Sequence, residues 1–326
     1  MSLKFRLDKT ARAGSIVKQR SCNLACVWCH HDYFTHNGFT VINNADMQQL
    51  VQRVIKAATD DDAEVRIAGD GDPTMAGAEL VDLVQRCKSI PQVHKVKVTT
   101  NGVLLGRLAA PLRDAGVDSV TVSLNALTRS GYMRYAQRDL LDQVLVSIEQ
   151  AVAVGLHLKI NLIYSAWNQD EMGQFEALSC RFNGMPIKVF DLIPTGDGSD
   201  LFVPLDKLES ALRPLAVSIF DQRNPYAKRT YRLKSGAVFE VKTAGSDNTC
   251  PMTACPARSR CLEGCRHSVR IGMDGWMRPC GVRTDNLLNL RSPSATDADI
   301  RRALASGGKL ARQPESTPIS GEAIAV

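Results

Sequence analysis

Three cysteines fall within eight residues near the start of the chain, in the stretch Cys22–Cys29 that reads CNLACVWC. The spacing C-x3-C-x2-C places three thiols on one short loop, directly after a run of strand-forming residues at Ser15–Lys18. Three thiolates on such a loop can hold three irons of a four-iron, four-sulfur (4Fe–4S) cluster and leave the fourth iron without a protein ligand. The alternative is a zinc site completed by His30 or His31, although zinc usually takes a second pair of ligands.

Around this loop, from about residue 13 to residue 192, strand patterns alternate with helix patterns. The predicted strands are Ser15–Lys18, Glu64–Ala68, Val93–Thr99, Ser119–Ser123, Leu156–Leu162 and Ile187–Leu192. The predicted helices between them are Ala45–Ala58, Gly77–Cys87, Leu105–Ala115, Leu140–Val154 and Glu171–Phe182. Such alternation through short loops indicates a parallel sheet covered by helices. Six strands predict an α/β fold, a partial (β/α)6 barrel of the TIM type, with chemistry at the carboxyl ends of the strands.

The pattern changes after residue 192. A further helix is predicted at 203–217, a β-hairpin at Thr230–Thr243 with its turn at Ser235-Gly236, and a short helix at Thr296–Leu304. The sequence therefore predicts a barrel domain at 1–220, a second domain at 221–310 that carries an auxiliary iron–sulfur cluster, and a loose C-terminal tail at 311–326.

Composition bounds the possible functions. The 326 residues carry a net charge of +6 without a run of basic residues, which disfavours nucleic-acid binding and suits a small anionic substrate. No apolar stretch reaches the roughly 18 residues of a membrane span, and Met1–Arg6 lacks the apolar region of a signal peptide. We therefore expect a cytoplasmic protein, whose ten cysteines are better explained by metal or cluster ligation than by disulfides.

A second group of cysteines lies near the C-terminus. Its members are Cys250, Cys255, Cys261, Cys265 and Cys280, with the spacing C-x4-C-x5-C-x3-C-x14-C. Five cysteines at this density indicate a second metal or cluster site. An auxiliary 4Fe–4S cluster is the favoured interpretation, and a structural zinc is the alternative.

The N-terminal motif resembles that of the radical S-adenosylmethionine (SAM) superfamily. Over most of its length the chain resembles the molybdenum-cofactor GTP 3′,8-cyclase family in particular. The markers follow the family's order along the chain: RIAGDGDP at 66–73, TTNG at 99–102, VTVSLN at 120–125 and KIN at 159–161. The first resembles a Gly-Gly-Glu-Pro segment, with one extra residue and Asp72 in place of the glutamate.

The resemblance implies two 4Fe–4S clusters and SAM as cofactors. It implies that Cys22, Cys26 and Cys29 hold the first cluster, whose open iron chelates SAM and whose electron cleaves it to methionine and a 5′-deoxyadenosyl radical. The residues that it places near SAM are Trp28, Gly69, Gly71, Asp72, Thr100, Asn101, Ser123 and Asn161. An external electron donor of the flavodoxin or ferredoxin type is implied as well.

The C-terminal cysteines resemble two kinds of auxiliary-cluster segment. Cys261, Cys265 and Cys280, with Asp274-Gly275 before the last cysteine, resemble the second-cluster segment of the cyclases. The stretch from Cys255 to Cys265 also resembles the SPASM and twitch domains of peptide- and sugar-modifying enzymes. We therefore expect Cys261, Cys265 and Cys280 as ligands, Cys255 as the likeliest fourth, and Cys250 as a bystander. Three ligands would leave one iron open to substrate and four would close the cluster.

The predicted substrate contacts are the basic residues Arg66, Lys159, Lys188, Arg266 and Arg270. The cyclases end in a Gly-Gly tail, whereas the Gly-Gly pair of this sequence is the internal Gly307-Gly308. The sequence therefore predicts a cyclase relative, a lyase-type radical SAM enzyme that abstracts hydrogen from a nucleotide-like or other small anionic substrate and closes a ring by a C–C bond. The alternatives are twitch- or SPASM-type modification of a peptide or small molecule, and a cluster-bearing redox sensor without turnover.

Overall fold

The computed structural model describes residues 3–9, 11–17, 21–27, 29, 39–59, 61–69, 71–192, 200–222, 228–242, 268–278 and 287–306. The strands within these ranges are β1 Leu3–Asp8, β2 Ile16–Val17, β3 Phe39–Thr40, β4 Ala63–Ala68, β5 Val93–Thr100, β6 Ser119–Ser123, β7 Leu158–Tyr164, β8 Ile187–Asp191, β9 Ala216–Gln222, β10 Lys228–Leu233, β11 Val238–Val241, β12 Ser268–Ile271, β13 Trp276–Arg278 and β14 Leu288–Asn289. The α-helices are α1 Asn44–Ala58, α2 Ala78–Lys88, α3 Leu105–Asp114, α4 Arg129–Ala136, α5 Leu141–Ala153, α6 Met172–Arg181, α7 Leu205–Leu212 and α8 Asp297–Ser306.

The internal contacts of the chain divide it into two compact units, and the boundary falls inside β5. Unit 1 contains the described residues of 1–21, 31–97 and 248–326, and unit 2 those of 22–30 and 98–247. The predicted domain boundaries at residues 220 and 310 stay a prediction. No helix among the described residues is long and apolar enough to cross a lipid bilayer.

Unit 1 is built around β1. Its strands lie in the order β14-β13-β12-β1-β4, and β1 runs parallel to both β12 and β4. Along β1, Leu3, Phe5 and Leu7 are buried on one face, whereas Lys4 and Arg6 alternate with them on the other. Successive side chains of a strand point to opposite faces, so this sheet has one apolar face and one face with charged residues of both signs.

The prediction of the first sheet strand at Ser15–Lys18 is wrong. Within the described part of that range, Ile16–Val17 is a strand, and it pairs with Phe39–Thr40 in a separate two-stranded sheet. The first strand of the large sheet is Leu3–Asp8, and its alternating apolar and polar residues are the pattern typical of a half-buried strand.

Unit 2 continues the alternation of strands and helices. Its strands lie in the order β6-β7-β8-β11-β10-β9. The pairs β6–β7, β7–β8 and β8–β11 are parallel, and β11, β10 and β9 form an antiparallel meander. The predicted β-hairpin is confirmed over β10 and β11, with Gly236 at positive φ in its turn. Buried Val120, Val122 and Ile160 line the apolar face of this sheet.

The observed helices differ from the predicted ones in two places. The helix predicted at 203–217 ends at Leu212, because Pro214 has no N–H to donate to the preceding turn. The residues from Ala216 onward form β9 instead. Helix α4 was not predicted, because few apolar residues recur along it: only Tyr132 and Ala136 are buried.

Candidate active site

The cysteine loop, residues 22–29, rests on the C-terminal end of α4. The N–H groups of Ala25 and Val27 donate hydrogen bonds to the carbonyl oxygens of Ala136 and Tyr135, each at 3.1 Å. The last carbonyls of a helix have no partner within the helix, so they are available to a neighbouring loop. The position of α4 therefore sets the position of the loop.

Helix α4 is held at its other end by a buried carboxylate. Thr128 is its N-cap, and its Oγ1 accepts a hydrogen bond from the Gly131 N–H at 3.1 Å. The Glu171 carboxylate accepts from the Thr128 N–H at 3.1 Å, from Thr128 Oγ1 at 2.7 Å and from the Leu127 N–H. A carboxylate at a helix N-terminus accepts hydrogen bonds from N–H groups there and interacts favourably with the positive end of the helix dipole.

We expect Glu171→Ala to lower the free energy of unfolding by about 2 kcal/mol, because it leaves buried donors without an acceptor. The measurement is the urea midpoint of the reconstituted protein followed by circular dichroism. Glu149→Ala, which removes a carboxylate from an exposed ion pair with Arg181, should change the free energy by less than about 1 kcal/mol. Equal midpoints for the two variants would contradict the role of Glu171.

Two N–H donors lie close to the sulfur atom of Cys22. The Leu24 N–H lies 3.4 Å and the Asn101 amide nitrogen 3.6 Å from Cys22 Sγ. The same amide nitrogen of Asn101 donates to the Asn23 side chain at 2.6 Å. Asn101 follows the carboxyl end of β5, and it connects this strand end to the cysteine loop.

The turn that presents Asn101 requires a glycine. Gly102 has a φ of +86°, and an added Cβ would lie 2.8 Å from a methyl group of Val122. Thr100 Oγ1 accepts from the Gly102 N–H at 3.1 Å, and Asn101 Oδ1 accepts from the Val103 N–H at 3.0 Å. Thr100 and Asn101, both predicted near SAM, thus use side-chain oxygens to fix the turn itself.

Tyr135 lies beside the other two cysteines. Burial raises the pKa of its hydroxyl well above the ordinary value, and the charges of Cys26 and Cys29 and a hydrogen bond to Cys26 raise it further. The phenol is therefore protonated near neutral pH and acts as a hydrogen-bond donor to Cys26. No sequence marker indicated this residue.

The described residues of the loop fit a 4Fe–4S cluster. The thiols of Cys22, Cys26 and Cys29 are not in disulfides, and the three residues are of intermediate exposure. Among the described residues, no three His, Cys, Asp or Glu side chains converge on a single metal ion. Each thiolate of a 4Fe–4S cluster binds a different iron, so three cysteines on one loop suit such a cluster. The N–H and O–H donors near Cys22 and Cys26 are the hydrogen bonds that cluster sulfurs accept.

The glycine-rich segment after β4 lies in unit 1. Gly71 forms a parallel bridge with Ser21, and the Asp72 N–H donates to the Ser21 carbonyl at 2.9 Å. The buried Asp72 carboxylate caps a 3-10 turn by accepting from the Thr74 N–H at 3.0 Å and from the Thr74 hydroxyl. Asp72 and Gly71 therefore hold the residue that precedes Cys22, in addition to their predicted place near SAM. Gly69 follows Ala68, the last residue of β4.

One register row of unit 2 brings predicted SAM and substrate residues together. Ser123 pairs with Asn161, Asn161 with Lys188, and Lys188 with Glu240, across β6, β7, β8 and β11. Partners in register on neighbouring parallel strands share a face of the sheet. One face of this sheet is therefore lined by Ser123, Asn161 and Lys188. Glu240 lies beside them and was not among the predicted site residues.

Glu240 neutralises part of this face. Lys159 and Lys228 lie 3.1 Å and 2.9 Å from its carboxylate, which is 10% exposed. Burial alone would raise the pKa of Glu240, but the hydrogen bond from Lys228 and the charge of Lys159 hold it below the ordinary value. Lys159 lies in the amino-terminal half of β7, two residues before Asn161, and not at the carboxyl end.

In unit 1, four arginines stand in one register row. Arg66 pairs with Arg6 and Arg6 with Arg270 across three parallel strands, and Arg270 pairs with Arg278 on β13. We call this set the arginine row. Strands lie about 4.8 Å apart, so the row places like charges on one face at close spacing. Arg66 and Arg270 were predicted as substrate contacts from the sequence, whereas Arg6 was not, because β1 was not among the predicted strands.

The arginine row lies in a cationic surrounding. Arg278 is buried and has two carboxylates, Asp274 at 3.2 Å and Asp8 at 3.6 Å. On the adjacent part of the face, burial lowers the pKa of Lys4, the Glu64 carboxylate opposes this shift, and the charges of Lys97 and Arg66 add to it. Lys97 forms an ion pair with Glu64 at 2.6 Å. Burial and neighbouring cations thus lower the pKa of the two lysines on this face, against the opposing charge of Glu64.

Some predicted residues lie outside the described residues, and their roles stay predictions. They are Trp28, Cys250, Cys255, Cys261, Cys265, Arg266 and Cys280.

Comparison with known proteins relates these features to a family. Residues 16–175 match the radical SAM superfamily. A probable GTP 3′,8-cyclase of Saccharolobus islandicus is 30% identical over 273 residues, which cover 82% of each chain. A probable GTP 3′,8-cyclase of Methanothermobacter marburgensis is 28% identical over 300 residues, or 88% of this chain and 86% of the relative.

Solved structures show the same fold at low identity. Native anSMEcpe with bound AdoMet and Kp18Cys peptide matches 94% of this chain and 83% of its own, with a TM-score of 0.64 and 14% identity. SuiB of Streptococcus suis bound to the precursor peptide SuiA matches 86% of this chain and 59% of its own, with a TM-score of 0.57 and 13% identity. The predicted α/β fold of the TIM-barrel-like type is thereby confirmed. The chain belongs to the radical SAM superfamily, whose members use SAM and a 4Fe–4S cluster, and it resembles the GTP 3′,8-cyclases within it.

Proposed function

We propose that the protein is a cyclase-type radical SAM enzyme that abstracts hydrogen from a nucleotide-like or other small anionic substrate and forms a C–C bond. The arginine row is the main observation in support of an anionic substrate. Guanidinium groups bind phosphate oxygens in a bidentate manner, and several guanidinium groups on one sheet face suit more than one phosphate. The cyclase relatives add a nucleotide as the substrate class.

The mutual repulsion within the row supports this proposal. Arg278 has the carboxylates of Asp8 and Asp274 beside it, and Arg6 and Arg66 are register partners on neighbouring strands. Two unit charges about 5 Å apart at an effective dielectric of 20 repel by about 3 kcal/mol. A bound polyanion would turn this repulsion into attraction.

The cysteine loop provides the place for the first cluster. Cys22, Cys26 and Cys29 would hold it, and Asn101 and Leu24 would donate to Cys22. When bound, the cluster and SAM supply a 5′-deoxyadenosyl radical. Ser123 and Asn161, in one register row, would orient SAM by hydrogen bonds.

The second cluster and its ligands are proposed from the sequence. Cys261, Cys265 and Cys280 would bind three irons, with Cys255 as the likeliest fourth ligand, and Arg266 and Arg270 lie close to these cysteines in sequence. The electron for the first cluster would come from a flavodoxin- or ferredoxin-type donor.

In unit 2, Lys159 and Lys188 are the proposed substrate cations. Glu240 already pairs with Lys159 and Lys228, so it lowers the net charge of this face. Glu240 is also the register partner of Lys188, so both proposed cations share a face with this carboxylate. The ammonium group of Lys188 lies 4.8 Å from the centre of the Phe190 ring.

The test of this proposal is hydrogen transfer from a defined substrate class. The reconstituted enzyme with SAM and dithionite is incubated with nucleoside triphosphates deuterated on the ribose, or with deuterated peptides. We expect a triphosphate to increase 5′-deoxyadenosine formation at least about tenfold and to transfer deuterium into it, with an effect that weakens as salt rises. Deuterium transfer from peptides alone would contradict the proposal and favour the peptide-modifying alternative.

A further inference from the structure

Tyr135 contacts the cysteine loop through both its backbone and its side chain. Its carbonyl accepts from the Val27 N–H at 3.1 Å, and its hydroxyl is hydrogen-bonded to Cys26 with Cys29 nearby. The residue lies in the last turn of α4, which Glu171 fixes from the other end. Its hydroxyl thus has a defined position relative to two predicted cluster ligands.

We propose that Tyr135 is a positioning residue that tunes the first cluster by donating a hydrogen bond to the Cys26 sulfur and so raises the reduction potential of that cluster. Reduction adds negative charge that spreads over the sulfur atoms. A donor at a ligand sulfur therefore stabilises the reduced form more than the oxidised form.

The surroundings of Tyr135 strengthen this bond. The side chain is half-buried, and hydrogen bonds to charged groups are stronger where water is partly excluded. The donors at Cys22 are the Leu24 backbone and Asn101, which also holds the β5 turn. The Tyr135 hydroxyl can be removed without touching a backbone group, so its contribution can be measured separately.

The experiment is a redox titration of the reconstituted protein by electron paramagnetic resonance, in which the first cluster is followed through the part of the signal that SAM changes. We expect Tyr135→Phe to lower the ratio of reduced to oxidised first cluster about tenfold at a fixed potential, which corresponds to a midpoint about 59 mV more negative for one electron. Tyr132→Phe, which removes a hydroxyl from the same helix, is the matched control and should leave the midpoint in place. An unchanged midpoint in Tyr135→Phe would overturn the proposal.

A second arm covers the case in which Tyr135→Phe fails to fold or to load its cluster. Incorporation of 3-fluorotyrosine at position 135 keeps the ring and makes the hydroxyl a stronger donor. We expect the midpoint to become more positive, opposite in sign to the phenylalanine variant, which a purely structural role would not produce. No shift, or a negative one, would overturn the proposal. The titration contains no substrate, so its outcome is independent of the proposed nucleotide substrate.

Discussion

Replacing Cys22, Cys26 and Cys29 together with alanine should abolish the formation of 5′-deoxyadenosine from SAM and dithionite. These three thiols are the proposed cluster ligands on the loop that α4 supports, and without them we expect no iron to be placed to chelate SAM. Iron content should fall from about eight to about four per chain if two 4Fe–4S clusters are present. The measurements are chromatography of the reaction products and a colorimetric iron assay.

The matched control for this triple variant is Cys180→Ala. Cys180 lies on α6 in the same unit, and its thiol donates to the Ser235 carbonyl at 3.2 Å. It should keep both its iron and its SAM cleavage. Continued formation of 5′-deoxyadenosine by the triple variant would contradict the assignment of the loop, and a loss of all iron would contradict the second cluster.

Local periodicity was sufficient to predict most of the helices and strands. For α1 the sequence predicted Ala45–Ala58 and the structure has Asn44–Ala58, because a buried apolar stripe and the capping side chain of Asn43 act within the segment itself. The same holds for β6, whose predicted and observed bounds agree. Elements with strong local signals need no knowledge of their neighbours.

What the sequence could not provide was pairing between distant strands. Arg6 and Arg270 are register partners although they lie near opposite ends of the described chain. No local pattern indicates that partner, so the arginine row was visible only as two separate basic residues. Glu240 is a similar case, because its contact with Lys159 depends on the register by which β11 joins β8.

The cysteine loop likewise has features that the sequence predicts and features that it does not. Its spacing predicted the cluster ligands, since thiol count and loop length are properties of the sequence alone. Its supports were not identifiable in this way, because Tyr135 and Glu171 reach the loop only through the placement of α4. Residues that act on a site through tertiary structure carry no spacing signal.

Arg6→Ala and Arg66→Ala should each lower turnover of an anionic substrate about 100-fold while uncoupled SAM cleavage changes by less than about threefold. Both guanidinium groups stand in the arginine row and not on the cysteine loop. Loss of a charge-assisted, bidentate contact to phosphate costs about 2 to 3 kcal/mol, which corresponds to a factor of about 30 to 150. The two measurements are kcat/KM for substrate consumption and the rate of 5′-deoxyadenosine formation without substrate.

The control variant is Arg302→Ala, which removes the same charge from an exposed pair with Asp299 on α8 of the same unit. It should leave both rates unchanged. Equal loss of both rates in Arg6→Ala and Arg66→Ala would assign the row to SAM binding or to the fold, and would remove the main support for an anionic substrate.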